Sequence, residues 1–452
     1  VAEVVVVGGG MAGVAAARLL HKEGARVLLL EAAPRLGGKV RTVRQEGFLV
    51  EGGPDASVRY KPALLALAQE VGLEPVGTLP AKPSAFILRR GRPYPLPEGL
   101  MVFVPGDLRA LARTPLLSPL GKLRALLEPF VPPSPKEDEA LGEFIARRFG
   151  EEVFQALVAP LAGGVYGGEP EALSVRAAFP KLWEMEKKGG LLRNALRARK
   201  ARGSREGGSL FFSFQEGLFE LVKRTAEGLP VRLGSPVLGL EPLKGRFRLH
   251  LLGESLEAEA VVLATPAPVT AKLLRPFLPQ ATALLNAIPH VPSATVSLAF
   301  KEEAFPQVEG HGLLIAKGEG YRTRGFTWTD QKWAGRAPEG YRLVRTYFSG
   351  EVARLSEAEL VRVALEDLNR FLGAQLRPER AYAFRFPEGM PVYGVGHLER
   401  VRRLEGMPME GLFLAGNYLQ GVGLPEVAES GQKAARRALE YLGLKRAARE
   451  GA

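Results

Sequence analysis

"EVVVVGGGMAGVAAARLL", residues 3–20, decides the fold. Val4 to Val7 are β-branched and apolar, as a buried strand requires. Gly8, Gly10 and Gly13 follow at GxGxxG spacing, and an Ala- and Leu-rich run then reads as a helix. Glycines at that spacing permit a tight turn, a close approach of backbone to a pyrophosphate, and close packing of helix on strand, with the helix N-terminus facing the phosphates. The next strand, "ARVLLLE", ends on Glu31, eighteen residues after Gly13, where a carboxylate meets ribose hydroxyls and disfavours a 2′-phosphate. A bare glycine-rich turn would not need that acid. The setting predicts a dinucleotide-binding unit that uses Gly8, Gly10, Met11, Ala12, Gly13, Glu31 and Ala32.

Three more glycine turns extend this reading. In "EAAPRLGGKVRT" (31–42), Arg35 supplies a fixed cation and Gly37–Gly38 let the backbone pass close to a cofactor. "GFLVEGGPDASVRY" (47–60) repeats the device with Gly53 and Pro54. Near the other end of the chain, "FLAGNYLQGVGLPEVAESG" (413–431) reads as a buried strand, a glycine loop and a helix with Pro425 in its first turn. Asn417 stands where a side-chain amide reaches a ribityl hydroxyl or a phosphate. The free N–H groups and positive dipole end of the helix favour electron density, which in a flavin is the N1–C2=O edge. These segments predict an isoalloxazine ring held between the two ends of the chain.

Composition narrows the class. The chain has 452 residues, so two or three domains are expected, and 46% apolar with 24% charged residues describes a globular protein. The absence of cysteine excludes disulfides, thiolate metal sites and cysteine nucleophiles. The five histidines show no HxxxH or HExxH spacing, so no metal site is expected. No signal segment and no spanning helix are visible, and the reading is cytoplasmic. The net charge of +12 leaves nucleic acid, anionic lipid or an acidic small molecule as partners.

The motifs resemble those of the oxygen-dependent protoporphyrinogen and coproporphyrinogen oxidases of haem synthesis, within the amine-oxidase-like FAD superfamily. The glycine turns carry the superfamily likeness. "APLAGGVYGGEPEALSVRAAFPKLWEMEK" (159–187), "FTWTDQKW" (326–333) and "FPEGMPVYGVGH" (386–397) carry the narrower one. The resemblance implies FAD, three successive two-electron oxidations of a porphyrinogen, and reoxidation of the flavin by molecular oxygen with release of hydrogen peroxide. It adds Val237, Val422, Gly423 and Leu424 to the FAD contacts, and Gly164, His311 and Leu314 to the substrate side. Some relatives carry a propionate-binding arginine where Ala85 stands here, so Arg89, Arg90 and Arg92 are the substitute cations. No protein acid or base is expected, because flavin N5 accepts the hydride. Two alternatives remain at this stage: an amine oxidase or carotenoid desaturase, and a non-catalytic binding protein of the Rab-escort type.

The predicted fold class is a discontinuous α/β Rossmann-like FAD domain with an α+β substrate-binding domain and a helical, membrane-associated insertion. The expected boundaries are 1–75, 204–275 and 403–452 for FAD, 76–98 and 276–402 for substrate, 99–186 for the insertion, and 187–203 for a basic connecting helix. "LRALARTPLLSPLGKLRALLEPF" (108–130) alternates apolar clusters with basic residues, which suits an anionic membrane surface. The basic tract 187–205 lacks stacking aromatics, so nucleic acid is not an expected partner. In the substrate domain, "ATVSLAF" puts Val296, Leu298 and Phe300 on one face. Ser356 and Glu359 form a capping box for a helix with a stripe of Val361, Leu365, Leu368 and Leu372, ending at Gly373. Trp183, Trp328 and Trp333 are expected in cores, and His397 is expected to be a structural residue.

Overall fold

A computed structural model describes residues 2–202 and 209–451. The β-branched opening forms strand Ala2–Val7, which pairs in parallel with Val27–Leu30 on one side and Glu254–Leu263 on the other. Leu412–Leu414 adds a further parallel strand beside Glu254–Leu263, so the last strand of the chain lies one strand away from the first. Glu254–Leu263 is much longer than the apolar run Val261–Ala264, because its first half pairs with the antiparallel strand Arg246–Leu251.

The two chain ends are locked by helices. Helix Met11–Lys22 crosses helix Leu424–Glu450 so closely that a Cβ on Gly431 would lie 2.0 Å from the carbonyl oxygen of Ala12. Val14, Ala16, Ala17, Ala428, Ala434 and Ala435 share the resulting core. Small residues set that distance.

A second, mixed sheet runs in the order Arg380–Pro391, His290–Lys301, Tyr341–Ser349, Gly325–Trp328, Gly312–Ile315, Ala85–Arg89, Arg92–Pro95. Helix Glu357–Leu372 covers one face, on which Val296, Leu298, Phe300, Phe326 and Trp328 are buried. Its capping box is formed by Ser356 and Glu359, and Gly373 ends it in the left-handed conformation. The stripe is centred differently from expectation. Leu360, Val363, Ala364 and Leu368 are buried, while Val361, Leu365 and Leu372 flank them, because the sheet meets the helix along that seam.

A third core is helical and contains Phe144, Ile145, Phe149, Phe154, Leu182 and Trp183. Inside it, Arg148 pairs with Glu128, both almost fully enclosed. Glu128 also accepts the N–H groups of Leu191 and Leu192 at 2.8 and 3.0 Å, capping the basic helix Leu191–Arg202 from a distance. The end of the predicted 187–203 helix and the start of the flavin segment at 204 fall outside the described residues. Trp183, Trp328 and Trp333 are all buried.

Candidate functional site

Glu31 joins the first two glycine turns. Its carboxylate accepts N–H groups from Gly9 at 2.6 Å and from Ala33 at 3.1 Å, while Gly37 N–H donates to Gly9 O at 2.8 Å. Within the first turn, a Cβ on Gly13 would stand 1.7 Å from Gly8 O, which fixes glycine there by close approach of helix and strand. Gly10 behaves differently. A Cβ there would meet nothing closer than Gly38 Cα at 4.0 Å, so the turn leaves an open cradle between Gly10 and Gly38. Gly10 is also the N-cap of its helix and offers no side-chain cap, which leaves the first N–H groups to a ligand.

Segment 234–237 runs alongside the same place. Gly234 N–H donates to Ala33 O and Ser235 N–H to Glu31 O, each at 2.9 Å, which puts Val237 two residues from the Glu31 strand end. Arg35 curls back on its own loop, donating to Leu36 O at 3.0 Å and Gly38 O at 2.8 Å. Gly53 and Pro54 are fastened from the second sheet. Arg345 donates to the carbonyls of Glu51 and Gly53, and Thr295 Oγ1 donates to Gly52 O at 2.7 Å.

The C-terminal loop is built in the same manner. Gly416 N–H donates to Ser430 Oγ at 3.0 Å. The Tyr393 hydroxyl donates to Asn417 O and accepts Gly421 N–H at 2.9 Å, pinning both ends of the loop. His397 stacks on Tyr393 with ring centroids 4.0 Å apart and donates from Nε2 to Leu419 O at 3.0 Å. Gly423 then caps helix Leu424–Glu450 without a side-chain bond, so a second uncapped helix end is presented. Beside it, Glu426 pairs with Lys61 through Oε1, while its buried Oε2 has no hydrogen-bond partner among the described residues. Two uncapped helix ends, an open glycine cradle and a carboxylate at a strand end fit a nucleotide that carries phosphates and an electron-rich ring.

The substrate-side residues divide. Gly164, on helix Ala159–Tyr166, packs on Leu314, since a Cβ there would lie 3.1 Å from Leu314 Cδ2. Tyr166, on the same helix, meets Tyr393 with ring centroids 6.2 Å apart, which ties this wall to the C-terminal loop. His311 lies at the start of strand Gly312–Ile315, donates from Nε2 to Leu79 O at 2.6 Å, and has its pKa lowered by burial. Arg89 is drawn the other way. It shares a sheet face with Ile87, which is covered by Leu116 and Leu157, and its guanidinium donates to Leu116 O at 2.7 Å. Arg90 and Arg92 are exposed on the hairpin turn, where Glu319 accepts the N–H groups of Arg90 and Gly91.

Sequence reasoning missed Arg345, Thr295 and Tyr393. A signal existed for the first, because an arginine inside the apolar strand "YRLVRTYF" must find partners once covered. Nothing local marked the other two.

The chain belongs to the flavin containing amine oxidoreductase family, whose signature matches residues 11–439. It is a flavin-dependent oxidoreductase of amine-oxidase-like fold. Within that class it is 32% identical to the coproporphyrinogen III oxidase of Bacillus subtilis, across 97% of this chain and 98% of that one. It is 31% identical to the chloroplastic protoporphyrinogen oxidase 1 of Arabidopsis thaliana, across 95% and 87%. A solved structure from Exiguobacterium superposes with a TM-score of 0.84 at 32% identity, covering 97% of this chain and 98% of that one.

Proposed function

We infer that this chain oxidises a porphyrinogen to a porphyrin, with FAD as its cofactor and oxygen as the final acceptor. The observation that carries the reading is the crossing of the first and last helices at Ala12 and Gly431, each helix starting without a side-chain cap, with the C-terminal loop tied through Tyr393 and Tyr166 to the helix that packs Gly164 on Leu314. The end-to-end likeness to porphyrinogen oxidases supports it.

Bound FAD supplies a hydride acceptor, N5, and passes its electrons to oxygen as hydrogen peroxide. The protein's own work is positional. The Gly10 and Gly423 helix ends would hold the phosphates and the electron-rich edge of the ring. Arg345 and Thr295 hold the Gly52–Gly53–Pro54 turn, and Tyr393 holds the 417–421 loop. The Gly164–Leu314 wall sets the distance of the macrocycle, whose bridging C–H must come within roughly 3 to 3.5 Å of the acceptor atom.

The same reading assigns residues 1–75, 204–275 and 403–452 to FAD, 76–98 and 276–402 to substrate, and 99–186 to a helical unit that rests on an anionic lipid surface at the cytoplasmic side. Exposed Leu120 (78%), Leu123, Leu127 and Phe130 (79%), with Arg109, Arg113 and Lys122 among them, support that last assignment. No described helix is long and apolar enough to cross a membrane. Co-sedimentation with phosphatidylglycerol vesicles should be lost on charging Leu120 and Phe130, and equal binding by that variant would remove the lipid surface.

The decisive experiment for the enzyme is anaerobic mixing with coproporphyrinogen or protoporphyrinogen, followed by admission of oxygen. Flavin bleaching and then porphyrin fluorescence are expected with at least one of them. A colourless protein that takes up no FAD, or a flavin that neither porphyrinogen bleaches, would overturn the assignment.

A further inference from the structure

We propose that Arg324 is the carboxylate anchor of the substrate site, taking over the duty that Ala85 cannot perform. The proposal rests on the porphyrinogen reading above. Residues paired across neighbouring strands present their side chains on the same sheet face, and Leu314, Gly325 and Tyr347 form one such row. That row is the face on which helix Ala159–Tyr166 lies, because Gly164 packs on Leu314 and a Cβ on Gly167 would stand 3.1 Å from the Tyr347 hydroxyl. Arg324, next to Gly325, enters the same junction. Its Nη1 lies 3.9 Å from the position of a Cβ on Gly163, and its Nη2 donates to Gly168 O at 3.3 Å.

The charge on this guanidinium is unanswered. A guanidinium has five N–H donors, and this one makes a single long bond to a carbonyl. Among the described residues it forms no ion pair, although it is half-buried. Among the described residues Arg148 pairs with both Glu128 and Glu186, Arg336 donates to three acceptors around Phe214, and Arg345 donates to two carbonyls. A half-buried cation without a protein counter-ion is stabilised by an anion brought from outside.

Position along the strands specifies the anion. Ala85 pairs with Gly312 at one end of the short strand, whereas Arg324 bonds to Ile315 at the other, with Leu314 between them. A macrocycle seated on Leu314 therefore exchanges an anchor at one edge for an anchor at the opposite edge. The ligand class is a planar tetrapyrrole bearing carboxylates, with one carboxylate forked onto Arg324 and the Tyr347 hydroxyl close by.

The test uses FAD-loaded protein and the stable oxidised probe coproporphyrin III, with its tetramethyl ester as the uncharged control in the same neutral detergent. Quenching of porphyrin fluorescence gives Kd. Arg324→Gln should raise Kd for the free acid by roughly 10- to 100-fold, as expected for loss of a charge-assisted bond, and leave the ester within about twofold. Arg324→Lys should recover part of the affinity, and both variants should keep wild-type flavin content. Steady-state assays should show the loss in KM rather than kcat. If Arg324→Gln binds the free acid as wild type does, or loses acid and ester alike, Arg324 only braces the Gly167–Gly168 turn and the proposal falls. A wild-type holoprotein that binds neither porphyrin overturns the porphyrinogen reading itself, and the anchor with it.

Discussion

The crossing of the first and last helices can be tested at Gly431. A Cβ added there would sit 2.0 Å from Ala12 O, whereas ordinary contact begins at 3.4 Å, so the helices must part by about 1.4 Å. The obstacle is a backbone carbonyl, which cannot rotate away. Overpacking of this kind costs about 1–3 kcal/mol, and the rigid neighbour argues for the upper end. Alanine regains about 1 kcal/mol of helix propensity over glycine, leaving Gly431→Ala about 2 kcal/mol less stable. If the two helix N-termini face one flavin as proposed, parting them also weakens a helix-end contribution to binding of about 0.3–2 kcal/mol, which raises the FAD Kd by up to about 30-fold. Gly443→Ala is the control. It lies in the same helix with nothing within 4 Å of its Cβ, and should gain up to about 1 kcal/mol with unchanged Kd. Thermal melting with and without FAD, together with flavin fluorescence on dilution, separates the two effects. If Gly431→Ala behaves as Gly443→Ala does, the close crossing does not set the cofactor site.

Glu31→Ala should shed FAD on desalting, since the carboxylate also fastens Gly9 and Ala33; full retention would undo its assignment. Burial pushes the Glu51 carboxyl up to about 7, against the opposing Leu218 N–H, Thr42, Arg336 and Arg345. A raised pKa gives stability that is complete below about 4.5 and lost as pH rises through 7, so Glu51→Gln should gain up to about 3 kcal/mol at pH 8.5 and nothing at pH 4.5. A gain independent of pH would refute that cause. Burial also lowers His397 to about 4, so stability present above 6.5 is lost as pH falls through 4, on the order of 3 kcal/mol. His397→Gln should flatten melting temperature over that window, and an unchanged slope would assign the acid loss elsewhere. Arg148→Met strands Glu128 inside the helical core and should cost about 3–5 kcal/mol, with part recovered by adding Glu128→Gln; a wild-type melting curve for the single variant would show that the pair is hydrated.

The parallel sheet and its glycine turns are legible in sequence because they are written in backbone constraints. Gly13 is demanded by its approach to Gly8 O within one strand-turn-helix unit, Gly8 by its own positive φ of 106°, and Glu31 ends the adjoining strand, so spacing along the chain maps directly onto space. The same holds for the capping box of Ser356 and Glu359, which lies within one helical turn. The stripe on that helix was misplaced because its centre is decided by the sheet it meets, and nothing in the helix itself records the angle.

The junction of the second sheet with the helical core is written in side chains brought together from separate elements, and there local reading fails for a physical reason. Arg89 and Arg324 are both arginines beside short apolar strands, and no neighbouring residue distinguishes them. What does so is the helical unit, which covers the Ile87 face with Leu116 and Leu157 and draws Arg89 onto Leu116 O at 2.7 Å, but meets Arg324 beside Gly163 through one longer bond, to Gly168 O at 3.3 Å. On the proposed reading, a flavin carries the chemistry, and selection among carboxylate-bearing substrates falls on where a cation such as Arg324 stands relative to the ring.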